Sequence, residues 1–456
     1  MSSFWSEREH GVELGSARCL RNRALWRPLV VGLALLAMAA HARAEDSPNL
    51  PFRADAQLTL ATLTQAVRDR APSLAAGRRS VALAEADARQ ARLYANPSLD
   101  AAWSTIPVGR TNPTDLERPL ANVPSYGIGL GYTVPIGKRA PNRRRADAVT
   151  QGSRAELEYQ TREQALQLAQ VLGELATATL RREGVAELVA GGRRAAELAE
   201  ARLRAQFGTP LDVDQLNIDV ERTEQLLSGA DGDILENLSA CASLVGRPCE
   251  GFRDASEARA FLGDSLTQND LDPADVAQRA DLRALAAYGA AASAARDLAD
   301  ARRIPDPTVH VGYLHDRFTV SGNQRNSMNL SVSLPLPVFD RGQGELAAAE
   351  ASLRHLNEER SQRLAVARAR IPALRQRRTL SLMRCRRLEA QVIPQARAVL
   401  TDLEKAVENR LLPLTQVIQA RRVVSELYIE EADSCGDAYV AALELVREIP
   451  AEGAVK

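Results

Sequence analysis

Side chains able to do chemistry are sparse in this 456-residue chain, and most of them are poorly spaced for it. A metal centre needs several imidazole, thiolate or carboxylate ligands converging on one point. Only three of the five histidines lie beyond residue 44: His310, His315 and His355. No cysteine or carboxylate stands at ligand spacing from His310 or His315. The sequence therefore assigns no metal centre, no cofactor and no catalytic constellation, and the chain reads as a non-enzyme. Asp212 and Asp214 follow a Gly208-Thr209-Pro210-Leu211 turn. Repeated around a symmetry axis, such acids would form a ring that attracts cations. As helix N-cap or first-turn residues they would instead stabilise the helix dipole, which fits Asp212 at least as well. The run Lys138, Arg139, Arg143, Arg144 and Arg145 either meets anionic headgroups or is a solvated face.

Composition narrows the class. Formal net charge is zero, so no basic field points to nucleic acid. The chain is 45% hydrophobic but only 4% aromatic, a mix that favours long packed helices over a large globular core. Arg18 to Arg27, the apolar run Leu29 to Ala40 and Ala42-Arg43-Ala44 read as a signal peptide with cleavage before Glu45. Cys19 precedes the apolar run, which argues against a lipoprotein. No later segment has eighteen consecutive apolar residues, so membrane residence after export would require a β-barrel.

The elements that must position these residues come in two copies. Ser125 to Arg139 is matched by Ser327 to Arg341, Pro210-Leu211 by Pro413-Leu414, and Asn96-Pro97 by Asp306-Pro307. Two stretches, roughly Ala140–Phe207 and Gly342–Asn409, each read as one unbroken helix ~100 Å long. Shorter helices are predicted at Leu60–Tyr94, Asp212–Val245, Asp275–Ile304 and Leu414–Arg447, each about half a rod, so that two stacked halves would cover one rod. Four strands alternate at period two, near Pro97–Ile106, Gly127–Val134, Val309–Leu314 and Asn329–Leu336. Ile128, Leu130, Tyr132 and Val134 share one face, and Gly127, Gly129, Gly131 and Thr133 the other. Apolar-out, polar-in strands of this length suit a barrel with a wet lumen and suit a half-buried soluble sheet equally. The predicted helix seams run through Leu382, Cys385, Val392, Ala396, Val399, Leu403 and Ala406, and through Leu414, Val417, Val424, Tyr428, Cys435, Ala438 and Ala442. Arg421 and Glu431 interrupt the second seam.

Four cysteines follow the cleavage site: Cys241, Cys249, Cys385 and Cys435. Cys385 and Cys435 stand at nearly equal heights either side of a turn near Arg410–Leu411, both on the seam. They are disulfide candidates if their Cα atoms come within ~7 Å. Cys241 and Cys249 are candidates too, provided Gly246 and Pro248 break the helix between them. The competing reading is four buried thiols.

Over nearly the whole mature length the chain resembles the TolC-like outer-membrane efflux factors. The resemblance rests on Leu58 to Leu63, Ala95 to Leu99, Pro135-Ile136-Gly137-Lys138-Arg139, Phe207 to Val213 and Ile393-Pro394-Gln395-Ala396. The Asn-Pro strand start and the Gly-Lys-Arg corner look closest to the branch serving heavy-metal exporters. The resemblance implies a mostly α fold with a membrane β part. Three copies would each give four strands to a twelve-stranded outer-membrane barrel, continued by a helical tunnel through the periplasm. Its implied partners are a periplasmic adaptor, an inner-membrane proton-driven pump and outer-membrane lipid. The adaptor-facing tips would be Gly208, Thr209, Pro210, Leu211 and Asp212, with Leu411, Leu412, Pro413, Leu414 and Thr415. At the second tip Asn409-Arg410 stands where a glycine is expected, and Asn409 would have to take the left-handed conformation. The division predicted is a signal peptide (1–44), a first repeat (45–245), a mid-height loop-rich linker (246–269), a second repeat (270–449) and a tail (450–456). The implied function is a passive exit duct, with cargo open between metal cations and other small molecules. A periplasmic coiled-coil adaptor or a structural protein without a channel is the alternative.

Overall fold

Pro72, Pro210 and Pro394 each stand where a helical segment of this chain begins. The computed structural model describes residues 51–104, 125–264, 273–316, 324–409 and 411–449, all within one unit. The expected signal peptide, residues 105–124, 265–272 and 317–323, Arg410 and the tail lie outside them. A two-residue strand β1 (Phe52–Arg53) precedes α1 (Leu60–Arg70), which opens on a reciprocal cap between Thr59 and Thr62. The sequence predicts one helix from Leu60 to Tyr94. The structure breaks it at Pro72, because a residue before proline is driven out of the helical region. Ala71 accordingly sits at φ −58°, ψ 120°, and a 3₁₀ turn leads into α2 (Ala75–Gln90).

Strands β2 (Ser98–Ser104) and β3 (Ser125–Thr133) feed α3 (Arg139–Arg204), which is 66 residues long. Gly137, at φ +69°, makes the corner between strand and helix, a torsion that side chains with a Cβ resist. Helix α4 (Pro210–Val245) returns and stops at Gly246, in the left-handed conformation. A short strand β4 (Cys249–Glu250) pairs in parallel with β1, and α5 (Ala255–Asp264) follows. The second repeat runs through α6 (Ala280–Arg302), β5 (Thr308–Asp316), β6 (Asn326–Ser333) and α7 (Gln343–Arg387). A π-helical turn, Leu388–Val392, then gives way to α8 (Ile393–Glu408), and α9 (Leu414–Arg447) returns.

That π turn corrects the expectation of a second unbroken α-helical rod. Pro394 has no N–H to donate to the carbonyl four residues back. Just before it, the Ile393 N–H donates to the Leu388 carbonyl, five residues back. The extra residue rotates the seam. Ile393, Leu400 and Val407 are buried, whereas Val399, predicted on the seam, is 56% exposed.

Helix α3 is the axis of the packing. Its first half meets α2 and α6, and its second half meets α4 and α9. Three of its glycines receive tyrosine rings: Gly152 takes Tyr288, Gly173 takes Tyr439 and Gly184 takes Tyr428. At each, a Cβ would stand 2.5–2.7 Å from a ring atom, so only glycine fits. The main core lies at mid-height, where Leu166, Leu172 and Leu175 of α3 pack with Phe261 of α5 and Tyr439 of α9. The linker region 246–264 is folded into it through Phe252, Ala258 and Phe261.

The four long strands form one antiparallel sheet in the order β2-β3-β5-β6. Its register aligns Ser98, Gly131, His310 and Ser331 in one row, and Asp100, Gly129, Gly312 and Asn329 in the next. Every residue in both rows is polar or glycine. The opposite face carries Leu99, Ile128, Leu130, Met328, Leu330 and Val332, each more than half exposed.

Candidate functional site

The helix ends at the first tip are made by backbone bonds. The Phe207 N–H donates to the Arg202 carbonyl (2.9 Å) and the Gln206 N–H to that of Leu203 (3.0 Å). This six-residue closure puts one residue in the left-handed region. That residue is Gln206, at φ +63°, and not Gly208. The second tip repeats the closing bond, from the Leu411 N–H to the Ala406 carbonyl (2.9 Å). Asn409 sits at φ −80°, so the left-handed conformation expected of it is not taken.

Thr209 and Asp212 then start α4 as a reciprocal cap. The Asp212 N–H donates to Thr209 Oγ1 (3.2 Å), and Thr209 returns its N–H (3.2 Å) and hydroxyl (2.7 Å) to Asp212 Oδ2. Asp212 is therefore engaged in capping, with Thr209 rather than Asp212 at the N-cap. Asp214, one turn in, is exposed. The second tip has no side-chain cap at Pro413. Phe207, Leu211 and Leu411 are 68, 63 and 74% exposed. Between the tips runs a groove of about 630 Å³ that Leu198, Arg202 and Phe207 line from one side and Glu404, Leu412 and Pro413 from the other. Arg202 bridges it, donating from Nη2 to the Glu408 carbonyl (2.9 Å) at the C-terminus of α8.

Charges below the tips tie the two repeats together. Arg421 of α9 donates from Nε to Asp219 of α4 (3.1 Å) and from Nη2 to the Leu188 carbonyl of α3. Gly191 and Gly192 leave room for its guanidinium. Tyr428 donates to Glu187 (3.1 Å), and Arg397 pairs with the same carboxylate. Burial, reinforced by the Glu187 charge, pushes the Tyr428 phenol up to about 12. Glu431, the other seam interruption, is buried and pairs with Arg259 of α5 (2.8 Å), which also reaches Glu389 in the π turn (3.4 Å). Both polar interruptions of the seam are thus ion-paired, Arg421 across the repeats and Glu431 to the segment that links them.

Two disulfides flank this region. Cys385 and Cys435 join α7 to α9 with Cα atoms 4.9 Å apart. Cys241 and Cys249 join the end of α4 to β4 at 6.1 Å, around the Gly246 break.

At the root of the sheet, Lys138 pairs with Asp306 (2.8 Å), Arg139 lies over the Tyr94 ring and Arg144 pairs with Asp297 (3.1 Å). Three members of the basic run are therefore engaged within the chain. Of the histidines, His355 stands 3.8 Å from Glu359, and His315 stacks on Tyr126 and contacts Asn326. His310 corrects a reading from sequence: its Nε2 lies 3.3 Å from Asp100 Oδ2, two strands away. Alternation alone puts each on the polar face of its strand. Their meeting depends on register, which depends on the connections between strands. Among the described residues no group of three or more His, Cys, Asp or Glu could hold a metal, and no helix is long and apolar enough to cross a membrane.

A sheet with one exposed apolar face, set on paired long helical hairpins, is a fold this chain shares with solved outer-membrane channel structures. Residues 63–247 match the outer membrane efflux protein family. Over 440 residues the chain is 25% identical to the cobalt-zinc-cadmium resistance protein CzcC of Cupriavidus metallidurans, covering 93% of this chain and 99% of that one. Among solved structures, the outer membrane protein VceC of Vibrio cholerae has 21% identity and a TM-score of 0.67, with 86% of this chain and 96% of that one covered. CusC, whose crystal structures concern transmembrane channel formation, has 16% identity and a TM-score of 0.69 over 90% and 96%. The second repeat has the same build as the first, which the family match covers.

Proposed function

We propose that three copies of this chain close into a twelve-stranded barrel in the outer membrane and continue as a periplasmic tunnel. The duct passes heavy-metal cations, delivered by an inner-membrane pump through a periplasmic adaptor, and does no chemistry on them. The observation that carries this reading is the four-stranded sheet, apolar on one face and polar on the other, with β2 and β6 at open edges. A lipid environment tolerates no open edge, so the sheet needs neighbours. Three copies around an axis supply them and turn the polar rows inward. Trp103, Tyr126 and Tyr313, exposed near one end of the apolar face, fit an interfacial aromatic girdle. The metal cargo is supported by the likeness to a cobalt-zinc-cadmium resistance protein along nearly the full length of both chains. Adaptor docking at the tips is supported by the exposed Phe207, Leu211 and Leu411 beside the inter-tip groove. A coiled-coil adaptor or structural protein would have no use for a two-faced sheet of this kind.

Native mass measurement in detergent should give three chains; a monodisperse monomer with intact strands would sink the trimer. Leu211→Asp and Gly208→Pro should each abolish tolerance to cobalt, zinc or cadmium in cells while leaving folding and assembly intact. Unchanged tolerance at normal expression would remove the tips from the docking surface.

A further inference from the structure

We propose that Asp100 and His310 form a transit site for a divalent transition-metal cation on the polar face of the sheet. The inference rests on the reading of that face as the lumen of a metal-conducting duct. Asp100 Oδ2 and His310 Nε2 belong to strands β2 and β5, with β3 between them, and approach to 3.3 Å. Direct approach across a strand is possible because β3 places glycine there. A Cβ at Gly129 would fall 2.3 Å from the imidazole Cε1, and one at Gly131 would fall 2.6 Å from Ser98 Oγ. The imidazole therefore lies flat over bare backbone, with its Nε2 edge turned to the carboxylate.

The separation suits shared coordination. Two donors each ~2.1 Å from a tetrahedral zinc-like ion stand ~3.4 Å apart. One imidazole nitrogen and one carboxylate oxygen are a donor pair that cobalt and zinc accept and that magnesium does not favour. In this structure the same two atoms already stand 3.3 Å apart, so the pair is preformed. Water would complete the shell, beside Ser98, Ser331 and Asn329, the polar neighbours in the same rows.

The site is built to be weak. His310 Nδ1 is buried against the strand and has no hydrogen-bond partner. When Nε2 binds metal, the ring proton must sit on that unpartnered nitrogen, whereas tight metal-binding imidazoles donate it to an acceptor. Two protein ligands and an unsupported tautomer favour release, as conduction requires.

The test uses the untagged, full-length mature protein in detergent, dialysed against Zn²⁺, with bound zinc counted per chain. Wild type should retain one more zinc per chain than His310→Gln or Asp100→Asn, with at least tenfold weaker binding at this site in either variant. His315→Gln should match wild type. A second measurement does not depend on those variants assembling: the zinc K-edge absorption spectrum of a His315→Gln, His355→Gln protein, in which any imidazole scattering must come from His310. Equal zinc retention in wild type and His310→Gln, or a spectrum without imidazole, overturns the site. Conductance in KCl across planar bilayers, without zinc, asks separately whether the chain is a duct. Its absence would defeat the duct while leaving the zinc count to decide the site.

Discussion

Arg421 sits in the middle of an apolar seam and is 3% exposed. A guanidinium is desolvated there at substantial cost, offset by Asp219, the Leu188 carbonyl and, at 3.9 Å, Glu404. Removing one partner leaves the other charged and buried. Arg421→Ala should destabilise the hairpin pair by about 3–5 kcal/mol, seen as a lower midpoint of helical unfolding by circular dichroism. Replacing both, as Arg421→Met with Asp219→Leu, should recover most of that loss, since an apolar pair of similar volume suits the seam. If the double variant is as unstable as Arg421→Ala, the pair is more than an offset charge. The periodicity of α9 marks Arg421 as an interruption, but its partner lies in the other repeat. Only the packing of α4 against α9 reveals it.

Among the elements, the π turn and the neighbouring disulfide belong together. Pro394 displaces the hydrogen-bond ladder, and three residues before that turn Cys385 fastens α7 to α9. The bridge closes a span of 50 residues that contains the π turn, α8 and the second tip. Cys385→Ser with Cys435→Ser should lower stability by about 2–4 kcal/mol through the greater freedom of the unfolded chain. Non-reducing peptide mapping of protein taken from the outer membrane should find Cys385 linked to Cys435 and Cys241 to Cys249. A Cys241–Cys435 peptide would contradict the helix register. The proline at 394 is plain in the sequence, yet a proline in a helix can produce a kink, a break or a π turn. Here the packing of Ile393 and Leu400 with Val417, Val424 and Tyr428 of α9 decides among them.

In the proposed trimer the sheet presents its two faces to different media, lipid outside and water inside. Leu330 and Ser331 are adjacent on β6 and point to opposite sides. Leu330→Arg puts a charge on the lipid-facing side and should cost about 2–4 kcal/mol near the membrane midplane, blocking assembly in the outer membrane. Ser331→Arg adds the same charge to the wet side. It should assemble normally and lower the bilayer conductance to cations. The two should be compared by heat-modifiable gel mobility and by conductance. Normal assembly of Leu330→Arg would mean that this face does not meet lipid.

Much of the architecture was legible because it is periodic. A 3.6-residue period, sustained over 66 residues in α3, specifies a rod, and a two-residue period specifies a two-faced strand. The duplication of Ser125–Arg139 at Ser327–Arg341 specifies that each is used twice, and together these carried the resemblance to outer-membrane efflux factors. What periodicity cannot contain is the relative shift of one element against another. Asp100 beside His310 and Arg421 beside Asp219 join elements distant along the chain. The displacement of the seam from Val399 to Leu400 follows from one π turn. The left-handed residue at the first tip is Gln206, because backbone closure sets its place, while the glycine that attracts notice in the sequence lies two residues on. Local periods follow from the order of side chains along the chain, whereas register and charge partners follow from how finished elements pack, and that is decided only in three dimensions.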